Sequence, residues 1–566
     1  MLHTRVRAVF AFSFLCATAS AWAGVSADEA ARLGKDLTYV GSTRAGNADG
    51  TIPEYTGSTN FDVDLPVLYK GTKLTPRNIS RQVLVDLWDQ YKDFQKNGPP
   101  ELRKMLDDGV AGEPKDIRGR LEAAQKDVVA NWKKYYTELS PDYKQRLNDL
   151  RKTFVLVGHE NLNTDPEKAS EEQINALLAL FKQQLSQVLG KLNNADQPLY
   201  TITPANMAQY ADKLSQGHQA LFKAYPDYKM VVYPSIRTAF FPDAVNEATV
   251  KNATAAHLEG TDNVLDAKLG FPFPIPKNGA EVMWNHKLRF RGSAARRYND
   301  QAIVKPDGSF VITKLQEDVK FKYANLREPP APGNKIFAFY LSQVLSPPRV
   351  AGEIILAHEP FIGNRAAWIY DPGLGRVNRA PDVGYDNPYP GTDGEQLTDQ
   401  VDMFNGALDR YDWKLLGKKD LLIPYNSFLI NGPAFTYKTL LTPFHINQKN
   451  SRYELHRVWV VEADLKPNVR HVFKKRVFYI DEDSWAIAVV ENYDNRDQLW
   501  KVQEGHLLTA PFIPTVSALP ELIYDLQSKR YFATTLTNEA QILDFNITFE
   551  DSHFDPANLR RLGQNH

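Results

Sequence analysis

The chain has 566 residues, enough to bury a large core and to form more than one folding unit. Its hydrophobic fraction of 43% is that of a globular protein and excludes a largely disordered chain. The formal net charge is −1. Phosphate binding usually requires a basic excess, so this balance argues against a nucleic acid as partner.

The N-terminus has the pattern of a secretory signal peptide. Arg5 and Arg7 precede an apolar run over residues 8–19, and a small-x-small cleavage pattern ends at Ala23. That run is well short of the roughly 20 residues that a membrane-spanning helix needs. We therefore predict that residues 1–23 are a signal peptide and that the mature protein is exported to the periplasm.

The single cysteine, Cys16, lies inside the predicted signal peptide. It lacks the small residues that lipoprotein processing requires just before the cysteine, so we predict no lipid anchor. The mature chain would then have neither a disulfide nor a thiol nucleophile. No other apolar stretch of the sequence is long enough to span a bilayer.

The mature chain divides into three parts by composition. Residues 24–77 form an irregular arm, in which Ser26 and Glu29 have the spacing of a helix capping box. Residues 78–192 have helical periodicity and no chemical motif, which predicts an inserted α-helical module. Residues 193–566 are rich in strand patterns and form the main domain.

The main domain starts with a predicted helix over residues 203–224. Its strongest pattern is a run of β-branched and aromatic segments over residues 453–508, separated by short turns, which predicts a meander of four antiparallel strands. Residues 381–398 read as a long polar loop, and the tail after Asp551 as peripheral. The fold class predicted is α+β, built on a large, curved antiparallel sheet with one apolar face.

Several long motifs occur together in a fixed order, among them GNADGTIPEYTG, GFPFPIPKNGAEVMWNHKLRFRG, DMFNGALDRYDWKLLGKK and RHVFKKRVFYIDEDSWAI. With these motifs the chain resembles an exported Gram-negative family of unknown function, whose sheet is similar to that of the lipoprotein carriers LolA and LolB. The resemblance implies an open half-barrel with helices over its concave face and a cavity for a lipid. It also implies resistance-nodulation-division transporters and outer-membrane proteins as partners, and it carries no catalytic residues. The module at 78–192 departs from the family pattern.

Aromatic residues in or beside the predicted strands are the candidates for lining such a cavity, because ligand pockets are mostly apolar. The same residues would also suit an ordinary sheet core. The candidates are Trp284, Phe290, Phe337, Phe339, Trp368, Tyr370, Trp459, Phe478, Tyr479 and Trp485.

Basic residues at the mouth of the cavity could bind a lipid headgroup or a carboxylate. The candidates for this rim are Arg376, Arg379 and Arg457, although solvated strand faces would explain them equally well. We predict no metal site and no cofactor, since the histidines lack ligand spacing and the acidic loop does not match a calcium loop. Neither a Gly-x-Ser-x-Gly elbow nor a phosphate-binding loop is present, but a triad assembled from distant residues stays open.

The leading hypothesis is a periplasmic carrier that is not an enzyme. It would hold a lipid or another hydrophobic molecule in a trough kept free for it, and pass it between an inner-membrane transporter and the outer membrane. One alternative is a hydrolase or isomerase acting on an envelope lipid, which would need a His beside an acid in the cavity. The other is a non-catalytic adaptor that docks proteins through the helical module.

Overall fold

A computed structural model describes residues 24–56 and, with short gaps, residues 198–563, together with scattered positions between 127 and 173. The predicted signal peptide and nearly all of the predicted helical module lie outside the described residues. The gaps after residue 198 are 329–332, 364, 381–384, 428–429, 431–435, 511–514, 541–544 and 546.

The described part of the chain contains seventeen strands and seven α-helices, besides short 3-10 turns. The strands are β1 (Tyr200–Ile202), β2 (Met230–Tyr233), β3 (His257–Glu259), β4 (Asn263–Leu265), β5 (Ala294–Val304), β6 (Phe310–Lys320), β7 (Ile336–Ser346), β8 (Ile354–Pro360), β9 (Ala366–Asp371), β10 (Arg376–Arg379), β11 (Tyr411–Pro424), β12 (Tyr453–Leu465), β13 (Lys475–Asp481), β14 (Ile487–Tyr493), β15 (Leu499–Ala510), β16 (Thr515–Asp525) and β17 (Tyr531–Leu536). The helices are α1 (Ala27–Ala30), α2 (Trp132–Glu138), α3 (Gln216–Ala224), α4 (Asp243–Ala255), α5 (Gly279–Leu288), α6 (Tyr437–Leu440) and α7 (Leu559–Gly563).

Fifteen of these strands form one sheet, in the order β1-β2-β12-β13-β14-β15-β16-β17-β5-β6-β7-β8-β9-β10, with β11 paired to β12. Every pairing in it is antiparallel except the short one between β2 and β12. Its two ends do not pair with each other within the described residues, so the sheet is open. The predicted fold class, α+β on a large antiparallel sheet, is confirmed, and the predicted meander corresponds to β12–β15.

The sheet is strongly curved, as the reach of one short helix shows. Helix α5 has ten residues and is therefore about 15 Å long. Its first residue lies against Val461 of β12, while Trp284 packs edge-on against Phe337 of β7, with ring centroids 6.2 Å apart. In the sheet order β7 is eight strands from β12, roughly 38 Å in a flat sheet at about 4.8 Å per strand. The sheet must therefore curl around α5, as a half-barrel does.

Two local predictions differ from the structure, and the predicted loop is partly buried. The helix predicted over 203–224 is a 3-10 turn, Met207–Lys213, followed by α3, because the Ser215 hydroxyl accepts the His218 amide and starts a new helix. The polar loop at 381–398 is partly interior, since Glu395 is buried and paired with Lys501. The C-terminal tail is not peripheral, because Phe554 is fully buried against the β7–β9 part of the sheet.

Candidate functional site

Strand register separates the two faces of the central sheet. Val461, Phe478 and Val490 are successive cross-strand partners on β12, β13 and β14, so their side chains share one face. Glu491 and Val502 are partners on the opposite face. We call the first the inner face, because helix α5 lies on it, and the second the outer face, because helix α3 lies there.

One continuous segment, residues 239–291, covers the inner face, and we call it the cover. It contains α4, the β3–β4 hairpin and α5, and all ten residues of α5 are buried. Helix α5 begins after Asn278, whose side-chain oxygen accepts a hydrogen bond from the Glu281 amide at 3.0 Å. Glycine at the first position lets α5 approach β12 closely, since a Cβ on Gly279 would lie 2.9 Å from Val461 Cγ1.

A cluster of charged residues at the C-terminal end of α5 attaches the cover to the loop after residue 398, and we call it the latch. Arg289 and Arg291 both bind the Asp402 carboxylate, and Arg289 Nη1 lies 3.0 Å from Asp402 Oδ2. His286 adds contacts to two backbone carbonyls, Nε2 at 2.9 Å from Asp402 O and Nδ1 at 3.1 Å from Trp485 O. Lys287 Nζ donates to the Gly406 carbonyl at 2.8 Å.

Burial and the opposing charges set the protonation of the latch. Burial alone would raise the pKa of Asp402, but Arg289 and Arg291 outweigh it and hold that pKa far below its usual value. Burial and the nearby Arg289 lower the pKa of His286 to about 3. Burial lowers the pKa of Lys287 to about 8. At neutral pH the latch thus contains a charged Asp402 and an uncharged imidazole.

Most of the predicted cavity residues gather in the core between the cover and the sheet. Trp459 and Trp485 stack with ring centroids 6.0 Å apart, and Phe478 packs edge-on against Phe404. Seven of the ten candidates belong to this core or pack against it: Trp284, Phe290, Phe337, Trp459, Phe478, Tyr479 and Trp485. The trough expected to be free is occupied by α5 in this structure, so a guest would need the cover to move.

The remaining three candidates lie elsewhere. Phe339, Trp368 and Tyr370 belong to a separate core, which the C-terminal segment closes. Phe339 stacks on Phe554 with ring centroids 5.2 Å apart. Tyr479 belongs to the first core, but it is on the outer-face side of its strand and donates to Glu491 at 3.1 Å. Strand periodicity alone could not separate these groups, because which core a strand faces depends on its position in the sheet.

The predicted rim residues are not brought together. Arg376 and Arg379 are exposed on the edge strand β10. Arg457 lies on β12 and pairs with Glu482 at 3.2 Å and with Asp420 at 3.5 Å. It thus forms part of the contact between the N-terminal arm and the sheet, since it also donates to the Ala45 carbonyl.

Sequence reasoning missed a small polar cavity beside the latch. Asp402 and Glu521 line it together with the Arg297–Glu317 ion pair, and its volume of about 20 Å³ has room for roughly one water. Burial and the charge of Asp402 raise the pKa of Glu521 to about 8. The available signal was the pair Arg289 and Arg291 at the end of the motif GFPFPIPKNGAEVMWNHKLRFRG.

A second cavity lies at the other end of α5, beside Gly24, Val25 and Glu281, with a volume of about 200 Å³. Ligand pockets typically measure about 300–1,000 Å³. The cavity is therefore too small to hold a lipid chain as it stands, although it borders the cover directly.

A hydrolase that uses a serine nucleophile requires a serine that contacts a histidine. His456 and Asp481 are buried side by side, but the Ser484 hydroxyl donates to Asp481 Oδ2 at 2.5 Å. In a nucleophilic triad the hydroxyl instead contacts the imidazole, which removes its proton. This arrangement therefore does not favour acyl transfer.

Comparison with known proteins identifies the family. Residues 201–560 match a family model described as a protein of unknown function, DUF1329. The chain belongs to the DUF1329 family. It is 45% identical over 377 residues to the uncharacterized protein PA3922 of Pseudomonas aeruginosa, an alignment covering 65% of this chain and 82% of that protein. The family prediction is thus confirmed.

Several solved structures are similar to this DUF1329 chain at low identity. One is a putative outer membrane lipoprotein-sorting protein domain from Vibrio parahaemolyticus, with 16% identity, a TM-score of 0.36, and coverage of 50% of this chain and 98% of that one. A DUF1329 protein from Desulfovibrio piger has 11% identity, a TM-score of 0.33 and coverage of 47% and 91%. The LolA superfamily protein NE2245 from Nitrosomonas europaea has 11% identity, a TM-score of 0.31 and coverage of 50% and 98%. Among the described residues, no helix is long and apolar enough to cross a membrane.

Proposed function

We propose that this protein is a periplasmic carrier that binds a hydrophobic molecule on the inner face of its half-barrel, in the place taken by α5 when the cover is closed. The observation that carries the proposal is the way the cover is attached. Helix α5 is wholly buried, yet it contributes no strand to the sheet, and charged groups concentrated at one end fasten it. Such a segment can be displaced while the sheet stays intact.

Exchange of α5 for a guest is energetically reasonable. A bound acyl chain would replace the apolar side chains of α5 against Phe478 and Trp485, so the apolar burial lost on opening is regained. An acyl chain of about 12 methylenes gains about 10 kcal/mol on leaving water. Opening the cover returns Asp402 and both arginines to water, so the net cost of separating these charges is small beside that gain. The physiological donor and acceptor would be an inner-membrane transporter and an outer-membrane protein.

A disulfide that locks the cover tests the proposal, since the predicted mature chain contains no cysteine. Gly279→Cys with Val461→Cys joins α5 to β12, where an added Cβ would lie 2.9 Å from Val461 Cγ1. We expect the oxidised variant to lose binding of a fluorescent fatty-acid probe, and reduction with dithiothreitol to restore it.

The outer face supplies a matched control. Gly217→Cys with Val502→Cys joins α3 to β15, where the corresponding distance is 2.8 Å, and oxidation should leave probe binding unchanged. Native mass spectrometry of the wild-type protein, purified from its own periplasm, should show a co-purified lipid. Probe binding that survives the locked cover, or a reproducibly empty protein, would refute the carrier.

A further inference from the structure

A buried cluster of charged side chains lies where the N-terminal arm crosses the turn after β13. It holds four carboxylates: Glu454, Asp481, Glu482 and Asp483. Three have a strong cationic partner: Arg452 at 2.5 Å from Glu454, Lys418 at 2.7 Å from Glu482, and Arg237 at 2.6 Å from Asp483. Within the part of the chain that the structure describes, Asp481 has no arginine or lysine within 4.0 Å.

The contacts of Asp481 leave one of its oxygens without a partner. Oδ2 accepts the amide of Ser484 at 3.0 Å and its hydroxyl at 2.5 Å. Oδ1 is fully buried and has no hydrogen-bond partner in the described structure. An ionised carboxylate in this place needs a positive charge, because an unpaired buried charge is strongly unfavourable.

His456 faces the free oxygen of Asp481. Its Nε2 lies 3.1 Å from Glu454 Oε2, which fixes the ring and favours a proton on that nitrogen. Nδ1 lies 3.8 Å from Asp481 Oδ1. This separation is too long for a hydrogen bond. It is close to the separation of two ligands that each bind one ion at about 2.1 Å.

We propose that a divalent transition-metal ion binds between His456, Asp481 and Asp483. One ligand atom from each of these three buried residues lies within 4.8 Å of the other two. A set of one imidazole and two carboxylates suits Zn²⁺ better than Mg²⁺ or Ca²⁺, which prefer oxygen ligands only. Glu454 is the outer partner that orients the histidine, an arrangement common at zinc sites. Arg237 binds both oxygens of Asp483, so this carboxylate would be shared between the arginine and the ion.

The ion would fix the turn on which the N-terminal arm rests. The Ser42 hydroxyl donates to the Glu482 carbonyl at 2.8 Å, and Arg237, which holds Asp483, also donates to the Thr43 carbonyl at 2.9 Å. Metal binding and docking of the arm should therefore be coupled. The site is independent of the carrier proposal, since none of its ligands belongs to the cover or the latch.

The probe for the test is Zn²⁺, added to the untagged mature protein by equilibrium dialysis and counted by mass spectrometry of the metal. We expect about one tightly bound zinc per wild-type chain and a higher melting temperature with zinc than with EDTA. Asp481→Asn and His456→Gln should each weaken binding more than 100-fold, and Glu454→Gln about 10- to 100-fold.

The matched control is His471→Gln. His471 is also buried and lies 3.0 Å from the carboxylate of Asp399, but there Arg476 supplies the cation at 2.6 Å. This variant should keep its zinc. Binding of less than about 0.2 zinc per wild-type chain would overturn the proposal, because that is the result expected if a proton alone occupies the site. Equal zinc uptake by all variants would also overturn it. If the variants fail to fold, anomalous diffraction from a zinc-soaked wild-type crystal tests the site. A peak between His456 and Asp481 would support the proposal, and the absence of a peak there would overturn it.

Discussion

Neutralising Asp402 is the most direct test of the latch. In Asp402→Asn the amide keeps the size of the side chain, and asparagine tolerates the positive φ of 57° at this position. The change leaves the guanidinium of Arg289, 2% exposed, and that of Arg291, 20% exposed, without their shared carboxylate. Removing one partner of a buried ion pair typically costs about 3–5 kcal/mol.

Most of this cost can be avoided if the cover opens and both arginines reach water. We therefore expect the cover to open before the sheet unfolds. A cost of about 3–4 kcal/mol corresponds to roughly 100- to 1,000-fold faster amide hydrogen exchange at residues 279–288, because each factor of ten is about 1.4 kcal/mol. Exchange in β12–β15 should stay near the wild-type rate, and lipid-probe binding should become faster.

Asp497→Asn is the matched control for this experiment. Asp497 also has a positive φ, 60°, and its carboxylate also contacts a cation, Lys474 at 2.7 Å. Both partners are largely exposed, however, so the pair contributes about 0–1 kcal/mol. The control should exchange like the wild type. Similar exchange rates for residues 279–288 in the two variants, or uniform loss of protection across the sheet in Asp402→Asn, would refute the latch.

Three further predictions concern stability. Glu521 has a raised pKa, so its contribution to stability is present below about pH 4.5 and is lost as the pH rises through 8. In urea unfolding, Glu521→Gln should therefore be more stable than the wild type at pH 9 and not at pH 4. His286 has a lowered pKa, so between about pH 6.5 and pH 3 the unfolded chain binds a proton that the folded chain does not. As the pH decreases through this range, the free energy of unfolding therefore decreases by at most about 1.4 kcal/mol per pH unit. His286→Gln should flatten that slope. Trp485→Ala should lower the free energy of unfolding by about 3–5 kcal/mol in calorimetry, because the buried ring stacks on Trp459 and donates to the Val40 carbonyl at 2.9 Å. As a control, Val311 is 68% exposed, and Val311→Ala should lower it by less than about 0.5 kcal/mol.

The local sequence predicted the features that depend on interactions between residues close together along the chain. The strands β12–β15 follow from alternating β-branched and aromatic residues between short turns, and antiparallel pairing of neighbours follows from the short links. The capping box of Ser26 and Glu29 is present, with the Glu29 amide 3.2 Å from the Ser26 hydroxyl. These features depend on residues that lie close together along the chain.

The candidate site could not be predicted in this way, because its contacts join distant parts of the chain. Asp402 meets Arg289 across 113 positions, and nothing in either local sequence identifies the other. The pairing of β17 with β5 closes a link of more than 200 residues, and it decides which aromatic side chains face α5. The predicted aromatic set therefore mixed residues of the inner face with others that belong to the C-terminal core.

The chemistry of the latch suits a reversible cover better than an apolar attachment would. Apolar contacts stabilise the closed cover whether or not a guest is present, since a guest only replaces the apolar surface of α5 with an apolar surface of its own. An ion pair is different, because both partners regain water when they separate and its net contribution to stability is small beside its geometric specificity. Asp402 with Arg289 and Arg291 thus fixes where α5 sits without making its release prohibitive. If a cover fastened in this way opens for a guest, replacing the charges by a well-packed apolar cluster should give a more stable protein that exchanges its guest more slowly.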